Sequence, residues 1–286
     1  MKFGPGVEIL LGFFIRILTM EFHNINTTLK SRIGPLGPNS IVDWTSSDSK
    51  QLFLNKLQNL EKRKRLEKLG WTENSIKYRG NDFGFRMNDD FTNIIDDECI
   101  VYLGCSITFG IGLNLEDTWG WKHWRKHYQD KNFRYINLSW PGSGADTFYR
   151  MLKSWIDILK IKKVYTLGSY FGRREIISST IKSTHWSGDN KTNFLILAHW
   201  VQDNERKILY NNLSDDEELK ISYARSWDAI RGICMRKDIP LFILDRKYKS
   251  EIISYGDFNA RDLKHHGPNW HTKLADLPES AWERLA

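Results

Sequence analysis

Apolar residues fall in short runs, separated by polar and glycine-rich breaks, from about residue 98 to the end of this chain. Cys99–Leu103, Arg134–Leu138, Lys163–Leu167 and Pro240–Leu244 read as strands, with Glu251–Ser254 as a weaker fifth. Each run is short and each gives way to polar residues or glycine. Between the strands the period changes. Thr118–Tyr128, Ala145–Leu159 and Asp215–Lys237 carry helical spacing; in the second, Phe148, Leu152, Trp155 and Leu159 recur every three or four residues. Near-continuous apolar strands alternating with helices predict an α/β fold, its central parallel sheet of about five strands covered on both faces. Residues 173–212 interrupt the alternation and read as an insertion near the site.

The text upstream differs. Residues 33–49 are rich in Pro, Gly, Ser and Asp and read as a loop. Lys50 to Leu69 reads as one helix, with Phe53, Leu57 and Leu60 on a face and Gly70 placed to end it. Ile76 to Phe91 reads as short strands and turns. Residues 1–97 are therefore expected to form an N-terminal extension packing on a domain of residues 98–286. Within it, Val7 to Met20 is apolar but carries Glu8 and Arg16. That is too short and too charged for a membrane span. Lys2 ahead of an apolar stretch suits a signal peptide, although no small-residue cleavage site follows. An amphipathic docking helix, or a start at Met20, accounts for the same residues.

Composition narrows the picture modestly. Lys and Arg number 42 against 35 Asp and Glu, a net +7 over 286 residues. Such an excess permits an anionic partner without requiring one. The basic run Glu61 to Lys68, EKRKRLEK, interleaves Glu61 and Glu67 with its lysines and arginines and reads as a solvated helix face. No nucleic-acid partner is expected from it. Three cysteines, Cys99, Cys105 and Cys234, make an odd and low count without metal-ligand spacing. That argues against a disulfide framework and for a cytoplasmic or otherwise intracellular setting.

Ligands of parallel α/β sheets bind outside the carboxyl ends of the strands, so the residues just after each strand carry the candidate chemistry. After the first strand stands Gly104-Cys105-Ser106-Ile107-Thr108-Phe109-Gly110-Ile111-Gly112. A hydroxyl among glycines would be accessible and surrounded by backbone N–H groups, as an acyl-transfer nucleophile requires. A phosphate-binding or plain tight turn accounts for the stretch equally well, although neither nucleotide-binding spacing is met. The second strand ends in NLSWPGSGAD, where the N–H of Gly142 could donate to an oxyanion. Near the C-terminus, Asp262 and His265 stand three apart, with His266 and His271 close by. A carboxylate in that position can take the Nδ1 proton of the imidazole and leave Nε2 to act as a base. A surface histidine cluster, or a metal site lacking further clear ligands, is the alternative.

Taken in order, these blocks resemble the SGNH (GDSL-type) hydrolase family. GCSITFG matches the Gly-Asp-Ser-x-Thr-x-Gly block with one change, Asn137 and Gly142 match the second block, and Asp262 and His265 match Asp-x-x-His. YRGNDFGFR, Tyr78 to Arg86, is similar to the lead-in of some members. The resemblance spans about Tyr78 to Ala275. It implies a flavodoxin-like three-layer α/β/α sandwich and a serine esterase acting on a short acyl ester, such as an acetyl group on a carbohydrate, without cofactor or metal. Ser106 would be the nucleophile, His265 the base and Asp262 its orienting carboxylate, with the N–H groups of Ser106 and Gly142 as the oxyanion hole. Trp119, Trp121 and Trp140 near the motif loops suit a sugar substrate, and core packing equally.

Two positions depart from the pattern. Cys105 replaces the aspartate beside the serine, and a small cysteine there is expected to point into the core. The third block, Gly-x-Asn-Asp, should follow the third strand, but Gly168-Ser169-Tyr170-Phe171 stands there. Loss of one oxyanion donor costs about 10²–10³ in rate. Ser169, Tyr170 and Arg173 are the polar side chains nearby in sequence. An O-acyltransferase using the same residues, and an inactive fold that binds a glycan or protein, are the alternatives this departure keeps open.

Overall fold

The structure is a computed structural model and describes residues 33–178, 193–199, 201, 204–213, 215–244 and 256–286. The apolar segment Val7 to Met20 and the candidate strand Glu251–Ser254 lie outside the described residues.

The N-terminal segment is built from short pieces. Strand β1 (Ile41–Val42) pairs antiparallel with β2 (Tyr78–Arg79). Between them lie α1 (Lys50–Leu57) and α2 (Leu60–Lys68). The single helix expected here is two, because the Asn59 side chain accepts from Lys62 N–H and starts a new helix. Asn is among the best N-caps, since its side-chain oxygen satisfies an orphan donor. In α2 only Leu66 is buried, so the basic run is a solvated face, as its interleaved charges suggested. A short helix, α3 (Phe91–Ile94), leads into the sheet.

Strand β3 (Glu98–Leu103) opens the main unit. There follow a helical turn, α4 (Ser106–Phe109), then α5 (Trp119–His127), β4 (Arg134–Asn137), α6 (Ala145–Trp155) and β5 (Lys160–Thr166). After an excursion come α8 (Asp216–Arg236), β8 (Leu241–Leu244), α9 (Pro268–Ala275) and β9 (Trp282–Arg284). The excursion is an antiparallel pair, β6 (Arg173–Ser178) with β7 (Asn193–Ala198), followed by α7 (Asn204–Leu213). This is the stretch that breaks the βα alternation in sequence.

The central sheet has the order β4-β3-β5-β8-β9. Counted along the chain, its strands run 2-1-3-4-5, a doubly wound order. Four are parallel, whereas β9 runs antiparallel to β8, so the sheet is mostly rather than wholly parallel. β9 pairs with the β8 edge that β5 leaves free. Right-handed crossovers fix the layers. The step from β3 to β4 and the step from β4 to β5 run in opposite directions, so α5 and α6 must cover opposite faces. On the first face Tyr102, Tyr135 and Tyr165, one from each of three adjacent strands, meet Trp119, Trp121 and His123 of α5 at ring separations of 4.7–5.2 Å. On the other, α6 packs on α8, with Phe148 edge-on to Trp227 at 6.2 Å.

The N-terminal segment shares this core. Phe91 lies 4.2 Å from the Trp155 ring, and Phe83 meets it edge-on at 5.0 Å. Burying an aromatic side chain of this size contributes about 1.5–3 kcal/mol. The segment is thus part of the domain's hydrophobic interior. Among the described residues, no helix is long and apolar enough to cross a membrane.

Candidate active site

The parallel register sets Tyr102 opposite both Asn137 and Tyr165, so three strands end at one edge. The loops after β3, β4 and β5 therefore emerge together at the point where the strand order reverses, the usual place for a ligand in such sheets. Gly104 leaves β3 and Cys105 is buried in the main core, as its size suggested. Ser106 begins the turn of α4 and is half-buried. A Cβ at Gly104 would stand 2.1 Å from Thr108 Oγ1, so the turn closes only over glycine. Gly110 ends it in the left-handed conformation, at φ 82°.

The second loop seats directly on the first. Trp140 N–H donates to Gly104 O at 2.9 Å, and Ser143 Oγ reaches the same carbonyl at 3.3 Å. Gly142 sits between them with φ 81°. Its N–H and that of Ser106 donate to no other backbone carbonyl among the described residues. Both residues lie at partly exposed positions. Asn137 is buried, and its Oδ1 accepts from the N–H and the hydroxyl of Ser139, which fixes the start of this loop.

The histidine segment reaches the loop that bears Ser106 from the far end of the chain. Arg261 N–H donates to Gly112 O at 2.9 Å. Gly112, at φ 74°, is in such close contact that an added Cβ would lie 2.9 Å from Ala260 Cβ and 3.0 Å from Arg261 N. One residue further on, Asp262 is fully buried and its Oδ2 stands 2.7 Å from His265 Nδ1. The local turn explains the pairing: the N–H groups of Lys264 and His265 both donate to Asp262 Oδ1 at 3.0 Å. Burial, the largest influence, pushes this carboxyl up. Hydrogen bonds from His265, Lys264 and Ser47, with the charge of His265, outweigh it and bring the carboxyl down to about 2. His265 keeps 20% of its side chain exposed, and neither its Nε2 nor the Ser106 hydroxyl is hydrogen-bonded to a described residue.

The other histidines serve elsewhere. His266 is stacked between Phe258 and Trp270, at 5.0 and 4.1 Å. His271 is buried, which holds it neutral, and its Nδ1 accepts Trp119 N–H at 2.9 Å. Among the described residues, no group of three or more His, Cys, Asp and Glu side chains is placed to hold a metal ion. The tryptophans near the loops are structural. Trp119 is buried against Trp282 at 5.4 Å, Trp121 packs on Trp124 at 5.0 Å, and Trp140 is buried under Arg150. Trp119 and Trp140 therefore offer no ring face to a sugar, whereas Trp121 is only partly buried.

At the third-block position Tyr170 is 51% exposed and lies on Phe171, 4.6 Å away. Ser169 Oγ is buried without a hydrogen-bond partner among the described residues. Arg173 Nη1 donates to Ser143 O at 3.3 Å, and its carbonyl rests where a Cβ of Gly144 would stand 2.4 Å away. Of the three candidates to replace the missing asparagine, Arg173 alone hydrogen-bonds to the Gly142 loop among the described residues, and it brings a cation there.

Four buried residues anchor these loops, and the sequence marked only two of them, Tyr78 and Arg86, as the ends of the lead-in. Arg86, the last residue of the lead-in YRGNDFGFR, is wholly buried; its guanidinium donates to Phe109 O, Gly110 O and Leu113 O and lies 4.4 Å from the Tyr78 ring centre. Tyr78 OH accepts Gly112 N–H at 2.8 Å and donates to Asp48 at 2.6 Å. Asp48 in turn pairs with the buried Arg261 at 2.7 Å. Asp48 and Arg261 carry no mark in the sequence, since a lone aspartate or arginine is common on surfaces.

The contact at Gly112 yields a prediction. Gly112→Ala combines left-handed strain with a collision, whereas Gly70→Ala has the same kind of φ, 73°, and nothing within 4 Å. Gly70→Ala should cost about 1 kcal/mol. Gly112→Ala should cost more and also move Asp262 relative to Ser106. Thermal unfolding of the two variants measures the difference; equal losses would show that the contact is slack.

Fold and site together define an α/β protein whose central, mostly parallel sheet carries a hydroxyl, two glycine loops and a carboxylate–imidazole pair at one edge. Comparison of the chain with protein-family models, with curated proteins and with solved structures finds no match.

Proposed function

We propose that this protein is a serine hydrolase of the SGNH type, with a flavodoxin-like sandwich, that cleaves a carboxylic ester of a short acyl group. The observation that carries the reading is the meeting of two segments about 150 residues apart: Arg261 N–H on Gly112 O, with Asp262 bonded to His265 beside the loop that bears Ser106. Ser106 Oγ attacks the ester carbonyl while His265 Nε2 takes its proton. The N–H groups of Ser106 and Gly142 receive the oxyanion, and Arg173 supplements them in place of the absent asparagine. His265 returns the proton to the leaving alcohol. Water, activated by the same nitrogen, then releases the acid. Asp262 holds the Nδ1–H tautomer throughout. This mechanism calls for no cofactor.

The exposed Tyr170 at the third-block position favours a second reading, an inactive fold that binds a glycan or protein with this cleft. A fluorophosphonate probe separates the two. The expected result is covalent labelling at Ser106, located by mass spectrometry and absent from Ser106→Ala, with aryl acetates hydrolysed by the unmodified protein only. No label at Ser106 in a folded protein would discard the hydrolase. Added acceptor alcohols distinguish hydrolysis from acyl transfer by their products.

A further inference from the structure

We infer that Ser47 is a positioning residue for the Asp262–His265 pair, so that the N-terminal segment completes the active site as well as the core. The kinetic part of this inference rests on the hydrolase reading above; the structural part does not.

Asp262 is wholly buried and presents two oxygens. Oδ1 is satisfied by the N–H groups of its own turn, Lys264 and His265. Oδ2 takes two donors of different origin. One is His265 Nδ1 at 2.7 Å and the other is Ser47 Oγ, also at 2.7 Å and 215 positions away in sequence. The turn alone would suffice to form the pair. The distant hydroxyl adds a second constraint on the oxygen that faces the imidazole. A buried carboxylate needs its acceptor sites filled. With Ser47 in place, the carboxylate can rotate only by giving up a hydrogen bond, and Nδ1 is presented with one fixed acceptor.

Ser47 is itself held rigidly. Its neighbours Thr45 and Asp48 bond to each other through both backbone groups, at 2.9 and 3.0 Å. Asp48 is locked between Tyr78 and Arg261, and Ser49 caps α1 by accepting Leu52 N–H. The same segment grips the chain just before Asp262. Arg65 donates to Phe258 O at 2.7 Å and to Asn259 Oδ1 at 2.8 Å, and Trp71 Nε1 donates to Asn259 O at 2.8 Å. The donor and the loop that it orients are therefore fixed by one set of residues. Because Tyr78 and Arg86 fasten the Ser106 loop, that set controls both sides of the proposed proton transfer.

The test uses the full chain with Ser47→Ala and Ser47→Thr and reads two properties. The first is the imidazole 15N spectrum of His265, assigned by its loss in His265→Gln, which reports the tautomer. The second is turnover of an aryl acetate. Ser47→Ala should move the His265 signals away from the pure Nδ1–H pattern and lower kcat/KM about tenfold, through kcat and with KM little changed. Ser47→Thr, which keeps the hydroxyl, should restore both. An unchanged spectrum in a folded Ser47→Ala protein overturns the proposal. So does an altered spectrum in folded Ser47→Thr, which decides the matter if the alanine variant does not fold. If the unmodified protein turns over no ester and Ser106 takes no probe, yet the spectrum responds as expected, the hydrolase reading fails and the positioning role stands.

Discussion

Asp262→Asn should lower kcat/KM for an aryl acetate by about 10⁴, the scale of loss when a triad carboxylate becomes an amide. The residue is fully buried and its Oδ2 faces His265 Nδ1. The N–H groups of Lys264 and His265 hold an oxygen at the Oδ1 position, so an asparagine there would point its NH₂ at that nitrogen. That orientation favours the tautomer that carries its proton on Nε2, where it cannot accept from Ser106. The backbone N–H groups of Lys264 and His265 can still find an oxygen, so the turn is retained and the loss falls on chemistry. A pH signature accompanies it. The carboxyl lies at about 2 in the folded protein against an ordinary 3.8. A lowered folded value means that its stabilisation is complete above the unfolded value and is lost as pH falls from about 4 towards 2. Asp262→Asn should lack that component, so urea unfolding of the two proteins should converge on acidification over this range. Turnover within tenfold of the unmodified protein would remove Asp262 from the proposed mechanism.

Arg261→Met should produce the largest loss of stability. The guanidinium is wholly buried, bonds Asp48 through Nε and Nη2, donates to Glu73 O at 2.9 Å and stacks 3.8 Å over Trp44. Removing one partner of a buried ion pair leaves the other charge without compensation, at a cost of about 3–5 kcal/mol. In a domain of this size that corresponds to a fall in Tm of about 10 °C. Adding Asp48→Asn removes the stranded charge and should recover part of the loss, so a double-mutant cycle by calorimetry measures the pair directly. A cost below about 1 kcal/mol for Arg261→Met would mean that the pair is not what joins the segment to the site. Turnover should fall with stability, because Arg261 N–H holds Gly112 and the next residue is Asp262.

Much of this was legible in the chain. The strands around Ile100, Ile136, Val164 and Ile243 and the helices of Trp121, Phe148 and Trp227 were marked by apolar period alone, because each buries a continuous run or a stripe. The ends were less exact. The third strand begins at Lys160, three residues early, since Lys160 and Lys162 lie where the sheet edge meets solvent and carry no apolar signal. Asn59 splits a helix whose apolar spacing continues across it. The last strand, Trp282–Arg284, is too short to announce itself and forms because β8 offers an unpaired edge. At the site, Ser106, Gly142, Asp262 and His265 could each be named from a local motif.

What the sequence by itself determined is local: strand and helix periods, the glycine turn around Ser106, and the three-residue spacing that lets Asp262 meet His265. These depend on backbone sterics and on neighbours a few residues away. Only the tertiary structure decided that the histidine turn lies on Gly112, that Ser47 reaches Asp262, and that Asp48, Tyr78, Arg86 and Arg261 tie the two loops together. Those contacts join residues far apart in the chain. Burial raises the cost of leaving any one of their polar groups unpaired, and no pattern along the chain records which distant partner will pair with it.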